Sequence, residues 1–180
     1  MKEGDQARNF ALLDHTGTRR TLYSFLTDGP LVLFFYLIAS SPICSAEACH
    51  FRDLAAEFAA VGARRVGIST DSVDRQAHFA QQRSFDFPLL SDVGGSVAEQ
   101  FGAKRSALAK LSRTRPAASS GRHARHRDGW LTRITTRRKT FVIDENGTVC
   151  KIVSNDLRAN IHADQALWYL RTEYRKPLPY

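Results

Sequence analysis

The chain has 180 residues, 43% hydrophobic and 10% aromatic, which suits one domain whose core needs neither metal nor cross-links to hold it. Its start, Met1-Lys2-Glu3-Gly4-Asp5-Gln6, lacks the layout of a signal peptide, and the longest apolar run, Leu31 to Ala39, is too short to cross a bilayer, so the expectation is a soluble, cytoplasmic protein with no membrane partner. The net charge of +8 resides in one segment, Arg113 to Lys139, with nine Arg or Lys against one Asp; the remaining 17 basic and 17 acidic residues balance, which disfavours a nucleic-acid-binding body.

Taken in chain order, Asn9 to Tyr23 reads as two short extended runs around a glycine-containing turn, a β-hairpin. Leu31 to Ile38 is a continuous apolar run behind Asp28-Gly29-Pro30, as expected of a central strand buried on both faces. Ser41-Pro42 then supplies a capping hydroxyl and a proline at the first helical position, and an amphipathic pattern through Phe51, Leu54, Ala55 and Phe58 predicts one helix to Gly62. Arg65 to Thr70 reads as a second buried strand. Asp71 to Ser84 reads as a helix with Val73, Ala77, Phe79 and Ala80 inward, Phe87 to Ser91 as a short extended piece, and Ser96 to Phe101 as a short helix ended by Gly102. Ser112 to Gly129 has no apolar periodicity and is expected to be a mobile basic loop within a single domain spanning residues 1–180. Beyond it, Thr140 to Val153 is a hairpin around Asn146-Gly147, and Ala163 to Tyr174 a closing helix. The order of elements predicts an α/β protein, a mixed sheet flanked by helices.

Three cysteines do not make a secreted disulfide framework; two of them close together point to redox chemistry or metal. Cys44 falls in the first turn of the helix capped by Ser41, where unpaired backbone N–H groups and the positive helix end favour an anion, hence a reactive thiolate. Cys49 lies five residues on, which in an ideal helix is about 7.5 Å along the axis and roughly 140° around it, or ~8.7 Å between Cα atoms. That exceeds the ~7 Å limit for a disulfide, so if the two bond the helix must locally unwind. A zinc site from Cys44, Cys49, His50 and a distant histidine has the wrong spacing for the usual ligand pairs.

The run Phe35-Tyr36-Leu37-Ile38-Ala39-Ser40-Ser41-Pro42-Ile43-Cys44-Ser45-Ala46-Glu47-Ala48-Cys49-His50-Phe51-Arg52-Asp53 resembles the signature of the peroxiredoxins (AhpC/TSA superfamily), closest to the PrxQ or bacterioferritin-comigratory-protein type. Gly67 to Asp71, Phe87 to Asp92 and Arg138 to Asp144 are further landmarks. The resemblance implies a thioredoxin-like fold and a thiol peroxidase in which Cys44 is the peroxidatic cysteine and Cys49 the resolving one. It further implies that Ser41 orients the peroxide, that Arg138 faces the thiolate, with Arg137 or Arg133 as alternatives, and that Glu47 holds the arginine. The substrate is then hydrogen peroxide or an organic hydroperoxide, recycling is by thioredoxin or a similar dithiol, no cofactor or metal is needed, and the chain is a monomer, with a dimer as the alternative. Leu37 and Ile43 stand where the family usually has proline and glycine, which predicts an altered wall beside the sulfur and a more crowded approach.

The competing readings are a redox-sensing protein using the same cysteines as a switch, and a polyanion-binding module acting through Arg113 to Lys139. Cys150, in the second hairpin, is read as a packing residue.

Overall fold

The computed structural model describes residues 1–104 and 136–174. The basic stretch from Ser112 to Gly129 lies outside them, as does Arg133.

Seven strands form one sheet. They are β1 (Ala11–Asp14), β2 (Arg19–Thr21), β3 (Leu31–Phe35), β4 (Arg64–Ser69), β5 (Leu89–Ser91), β6 (Lys139–Ile143) and β7 (Val149–Ser154), in the order β2-β1-β5-β4-β3-β6-β7. β3 is fully buried along its length because it runs parallel to β4 on one side and antiparallel to β6 on the other, with Leu33 opposite Val66 and Phe141. Both faces of such a strand are covered, so its sequence shows no polar alternation.

The two-residue period of β3 nevertheless sorts its side chains between two cores. Leu31, Leu33 and Phe35 pack with Val66, Ile68, Phe101 and Phe141, a layer covered by α1 (Leu22–Leu26) and α5 (Ser96–Gln100). Val32, Phe34 and Tyr36 face the other way, toward α2 (Pro42–Asp53), α3 (Ala55–Ala60), α4 (Val73–Arg83) and α6 (Ile161–Thr172). In that second layer Phe34 stacks on Phe51 of α2 with ring centroids 4.2 Å apart. Gly67 of β4 permits this, since a Cβ there would lie 2.9 Å from the Phe34 ring and 2.8 Å from Leu89 Cδ2. The stack fixes the height of α2 over the sheet.

Three expectations need correction. The helix read as running to Gly62 divides at Leu54 (φ −92°, ψ 23°) into α2 and α3, although the apolar pattern continues through the break. The end of the first hairpin folds as α1, nucleated by a reciprocal cap between Thr21 and Ser24. In α4 the buried side chains are Gln76, Phe79 and Ala80, while Val73 and Ala77 are only half-buried. The β6–β7 turn also uses more than the Asn-Gly pair: Asp144 Oδ1 accepts from the N–H of Asn146 and of Thr148 at 3.0 and 2.7 Å, and Gly147 takes the positive φ, 84°.

Candidate active site

The site lies where β3 hands over to α2. Ser40 sits in the left-handed region at φ 64°, and Ser41 returns to extended backbone as the N-cap of α2. A buried polar frame holds this handover in place: Asp71 Oδ2 accepts from the Ala39 N–H at 2.6 Å and from Ser69 Oγ at 2.8 Å. Gln76 Nε2 donates to Ser69 Oγ and to the Leu90 carbonyl, and its Oε1 accepts from the Tyr36 hydroxyl. Burial, with the charge on Asp71 adding to it, pushes the Tyr36 phenol far above its usual range, so that hydroxyl is a donor at every physiological pH.

Pro42 opens α2, and Ser41 Oγ accepts the Cys44 N–H at 3.3 Å. Cys44 is thus the third helical residue, 1% exposed, with its side chain packed among Val32, Phe34, Tyr36 and Phe51. Cys49 is half-buried further along the same unbroken helix, and both thiols are free. Cys150 is also free and half-buried, its Sγ 3.4 Å from the Thr148 carbonyl. Leu37 packs partly buried against the cluster around Cys44, and Ile43 is 49% exposed.

Arg138 enters from just before β6. Although it is only 2% exposed, each nitrogen of its guanidinium has a partner: Nη2 donates to Cys44 Sγ at 3.3 Å, Nε to Glu47 Oε2 at 2.6 Å, and Nη1 to the Asp156 carbonyl at 2.7 Å. Its backbone N–H also donates to Asp156 Oδ1 at 3.2 Å. Of the alternatives left open by the sequence, Arg137 is exposed and Arg133 is outside the described residues. The structure therefore brings Ser41, Cys44, Glu47 and Arg138 together around one sulfur, with Cys49 a turn and a half away. Burial alone would lower the guanidinium, but Glu47 and Cys44 beside it leave Arg138 raised above its ordinary value, a permanent cation.

Two further groups complete the pocket. Glu47 is 0% exposed; burial pushes its carboxyl up to about 8 despite the pull of Arg138, and among the described residues its Oε1 has no hydrogen-bond partner. His162 of α6, also 0% exposed, stands with Nδ1 3.9 Å from that oxygen. Its Nε2 is 2.8 Å from the Asn155 carbonyl, which can only accept, so Nε2 carries the hydrogen and Nδ1 accepts from Thr140 Oγ1 at 2.9 Å. Burial, helped by the Arg138 cation, lowers His162 to about 4 and keeps it neutral.

Sequence reasoning missed His162, Thr140 and Asp156. A histidine on an amphipathic helix carries no local signal when its partners come from other elements.

The His162 shift sets an acid dependence. Since the folded value lies below that of the unfolded chain, the contribution to stability is complete above about pH 6.5 and is lost as pH falls toward 4, amounting to about 3 kcal/mol. The Glu47 shift has the opposite sign over pH 4.5 to 8, favouring the fold at the acid end, so the imidazole is isolated by difference. Urea unfolding at pH 7 and pH 4.5 is expected to show a smaller loss of stability on acidification in His162→Gln than in the parent; equal losses would contradict the buried neutral imidazole.

A reduced cysteine capped by a serine at a helix start, against a buried arginine on a thioredoxin-like mixed sheet, defines a thiol-dependent peroxidase. Comparison with known proteins agrees. Residues 3–152 match the family model described as AhpC/TSA family, and the chain belongs to that family, the peroxiredoxins. It is similar to the crystal structure of peroxidoxin BcpB from Mycobacterium tuberculosis, with 48% identity and a TM-score of 0.80 over 97% of this chain and 99% of that one. It is similar also to the chloroplastic peroxiredoxin Q of Sedum lineare, 31% identical over 96% of this chain and 79% of that protein. A structure of Xanthomonas campestris peroxiredoxin Q is 26% identical, with a TM-score of 0.73 over 91% of this chain and 90% of the other. No helix among the described residues is long and apolar enough to cross a membrane.

Proposed function

We propose that the protein reduces hydrogen peroxide and organic hydroperoxides through a sulfenic acid on Cys44, which Cys49 then resolves as an intramolecular disulfide. The observation that carries this reading is the Arg138 guanidinium 3.3 Å from a buried Cys44 sulfur. In the thiolate form, Cys44 attacks the terminal peroxide oxygen. The O–O bond breaks, and the developing negative charge lies beside a fixed cation in a site closed to water, where electrostatic stabilisation is strongest. Ser41 both caps α2 and presents a hydroxyl at the mouth of the site to orient the peroxide. Glu47 holds the arginine through its Nε, so the cation cannot turn away from the sulfur.

Resolution requires movement. With both cysteines in one continuous α2, and their spacing beyond disulfide reach, the turns from Ser45 to Phe51 must unwind before Cys49 can attack the sulfenic acid. Phe51 would leave its stack on Phe34, and His50 would release Asp164 of α6, to which its Nε2 lies within 2.6 Å. The disulfide is then reduced by thioredoxin or a similar dithiol through exchange. No cofactor enters this sequence of steps. The same reading takes the protein as a cytoplasmic monomer that acts on peroxides rather than on nucleic acid.

Peroxide-dependent oxidation of NADPH through thioredoxin and its reductase tests the proposal against a redox switch or a binding scaffold. The parent is expected to sustain it. Cys49→Ser is expected to form sulfenic acid at the parent's rate, yet to lose thioredoxin-coupled turnover at least about tenfold; full coupled turnover in that variant would remove Cys49 from the mechanism.

A further inference from the structure

The attack on the peroxide leaves a proton unaccounted for. When the thiolate of Cys44 forms a bond to the terminal oxygen, sulfur is oxidised by two electrons and the O–O pair departs on the other oxygen as alkoxide or hydroxide. That oxygen must gain a proton to leave as alcohol or water.

Around the sulfur the charges are few and enclosed. Arg138 is the one buried Lys or Arg among the described residues. Its guanidinium touches two groups able to carry a negative charge, Glu47 Oε2 at 2.6 Å and Cys44 Sγ at 3.3 Å, and neither residue is more than 1% exposed. Among the described residues the other group beside Glu47 adds no second cation: His162 of α6 is neutral, with its ring hydrogen on the Asn155 carbonyl and its Nδ1 engaged by the Thr140 hydroxyl. Asp156, in the loop between β7 and α6, is exposed to solvent. Two buried anions beside one buried cation leave an uncompensated charge, which costs several kcal/mol, so a second proton-binding group remains neutral while the first is charged. The free carboxyl oxygen fits this. Oε2 is taken by Arg138, whereas Oε1 has no hydrogen-bond partner among the described residues and faces His162 Nδ1 at 3.9 Å, leaving it the atom able to hold a hydrogen. The upward shift of this carboxyl by burial is in the same direction.

We propose that Glu47 is protonated while Cys44 is a thiolate and gives up that proton to the departing oxygen as the sulfenic acid forms, so that the buried negative charge passes from sulfur to carboxylate. Atoms and charge balance: thiolate, hydroperoxide and carboxylic acid become sulfenic acid, alcohol or water, and carboxylate, with one negative charge shared between Cys44 and Glu47 before and after. Reduction of Cys44 back to the thiolate returns the proton to Glu47. This inference rests on the peroxidase reading, which it deepens by assigning the proton.

The test uses full-length Cys49→Ser protein, in which the sulfenic acid persists, treated with hydrogen peroxide. Infrared difference spectra are expected to lose a protonated-carboxyl band and gain carboxylate bands, both shifted by 13C-glutamate labelling and both absent when Glu47→Gln is added. In parallel, a pH-indicator dye in weak buffer is expected to show almost no proton drawn from the medium, against about one per sulfenic acid in the Glu47→Gln double variant. If sulfenic acid forms and the carboxyl bands do not change, or the Cys49→Ser protein itself draws a full proton, the proton assignment is overturned while the peroxidase reading stands. If mass spectrometry finds no sulfenic acid on Cys44, the peroxidase reading fails and takes the proton assignment with it.

Discussion

Cys44→Ser is expected to lose peroxide turnover entirely, with a circular-dichroism spectrum that matches the parent. Both parts follow from the position of the residue. At 1% exposure, within the apolar cluster that also holds Val32, Phe34 and Tyr36, its sulfur is replaced by a smaller atom that leaves the core intact. Chemically nothing replaces it, because a serine hydroxyl is not ionised near neutral pH and Arg138, whose guanidinium lies against the Cys44 sulfur, cannot make it so. Residual turnover above a few per cent, measured as disappearance of peroxide, would move the reactive sulfur elsewhere.

Arg138→Met has the second-largest expected effect: kcat/KM for hydrogen peroxide falls about a hundred- to a thousandfold, the range seen when one well-placed donor to a developing charge is removed. The loss is expected mainly in the rate of sulfenic acid formation, since that is the step in which charge builds up 3.3 Å from the guanidinium nitrogen. Removing the cation also leaves Glu47 buried without its partner, where a carboxylate would cost about 3–5 kcal/mol. Because burial already pushes that carboxyl up, it stays protonated, and the variant is expected to remain folded. Stopped-flow oxidation of Arg138→Met at the parent's rate would exclude the arginine from the chemistry.

The parts of this site that could be read from the chain are those whose cause is local. Ser41 and Pro42 announce a helix start, and Cys44 three residues beyond the cap inherits its place from that start alone. β3 is visible within the apolar run Leu31 to Ile38, because burial on both faces removes polar alternation, although the strand itself ends at Phe35. Arg138 was legible only through family resemblance, since its contacts with Glu47 and Cys44 bridge 91 and 94 residues. Nothing in the local sequence distinguishes it from Arg137, which is exposed.

What was not legible depends on packing across elements. The break at Leu54 follows no glycine or proline; Phe51 and Phe58 lie on one apolar stripe, and only the separate seating of α2 and α3 on the sheet requires the chain to turn. Gln76 looks like a surface residue of α4, yet it is fully buried because Ser69 of β4, the Leu90 carbonyl of β5 and Tyr36 just beyond β3 supply it with partners. His162 is hidden for the same reason, its neutrality being set by Asn155 and Thr140 rather than by its own helix. The cause of α1 is local: Thr21 and Ser24, three residues apart, form a reciprocal cap.

The proposed turnover requires Cys44 and Cys49 to act as a pair once α2 loosens. Peptide mass spectrometry of the parent protein after one equivalent of hydrogen peroxide tests this most directly. The result expected is a Cys44–Cys49 disulfide in nearly every molecule, with Cys150 still a free thiol. A link between Cys150 and either partner, or a sulfinic acid on Cys44 with Cys49 untouched, would contradict it.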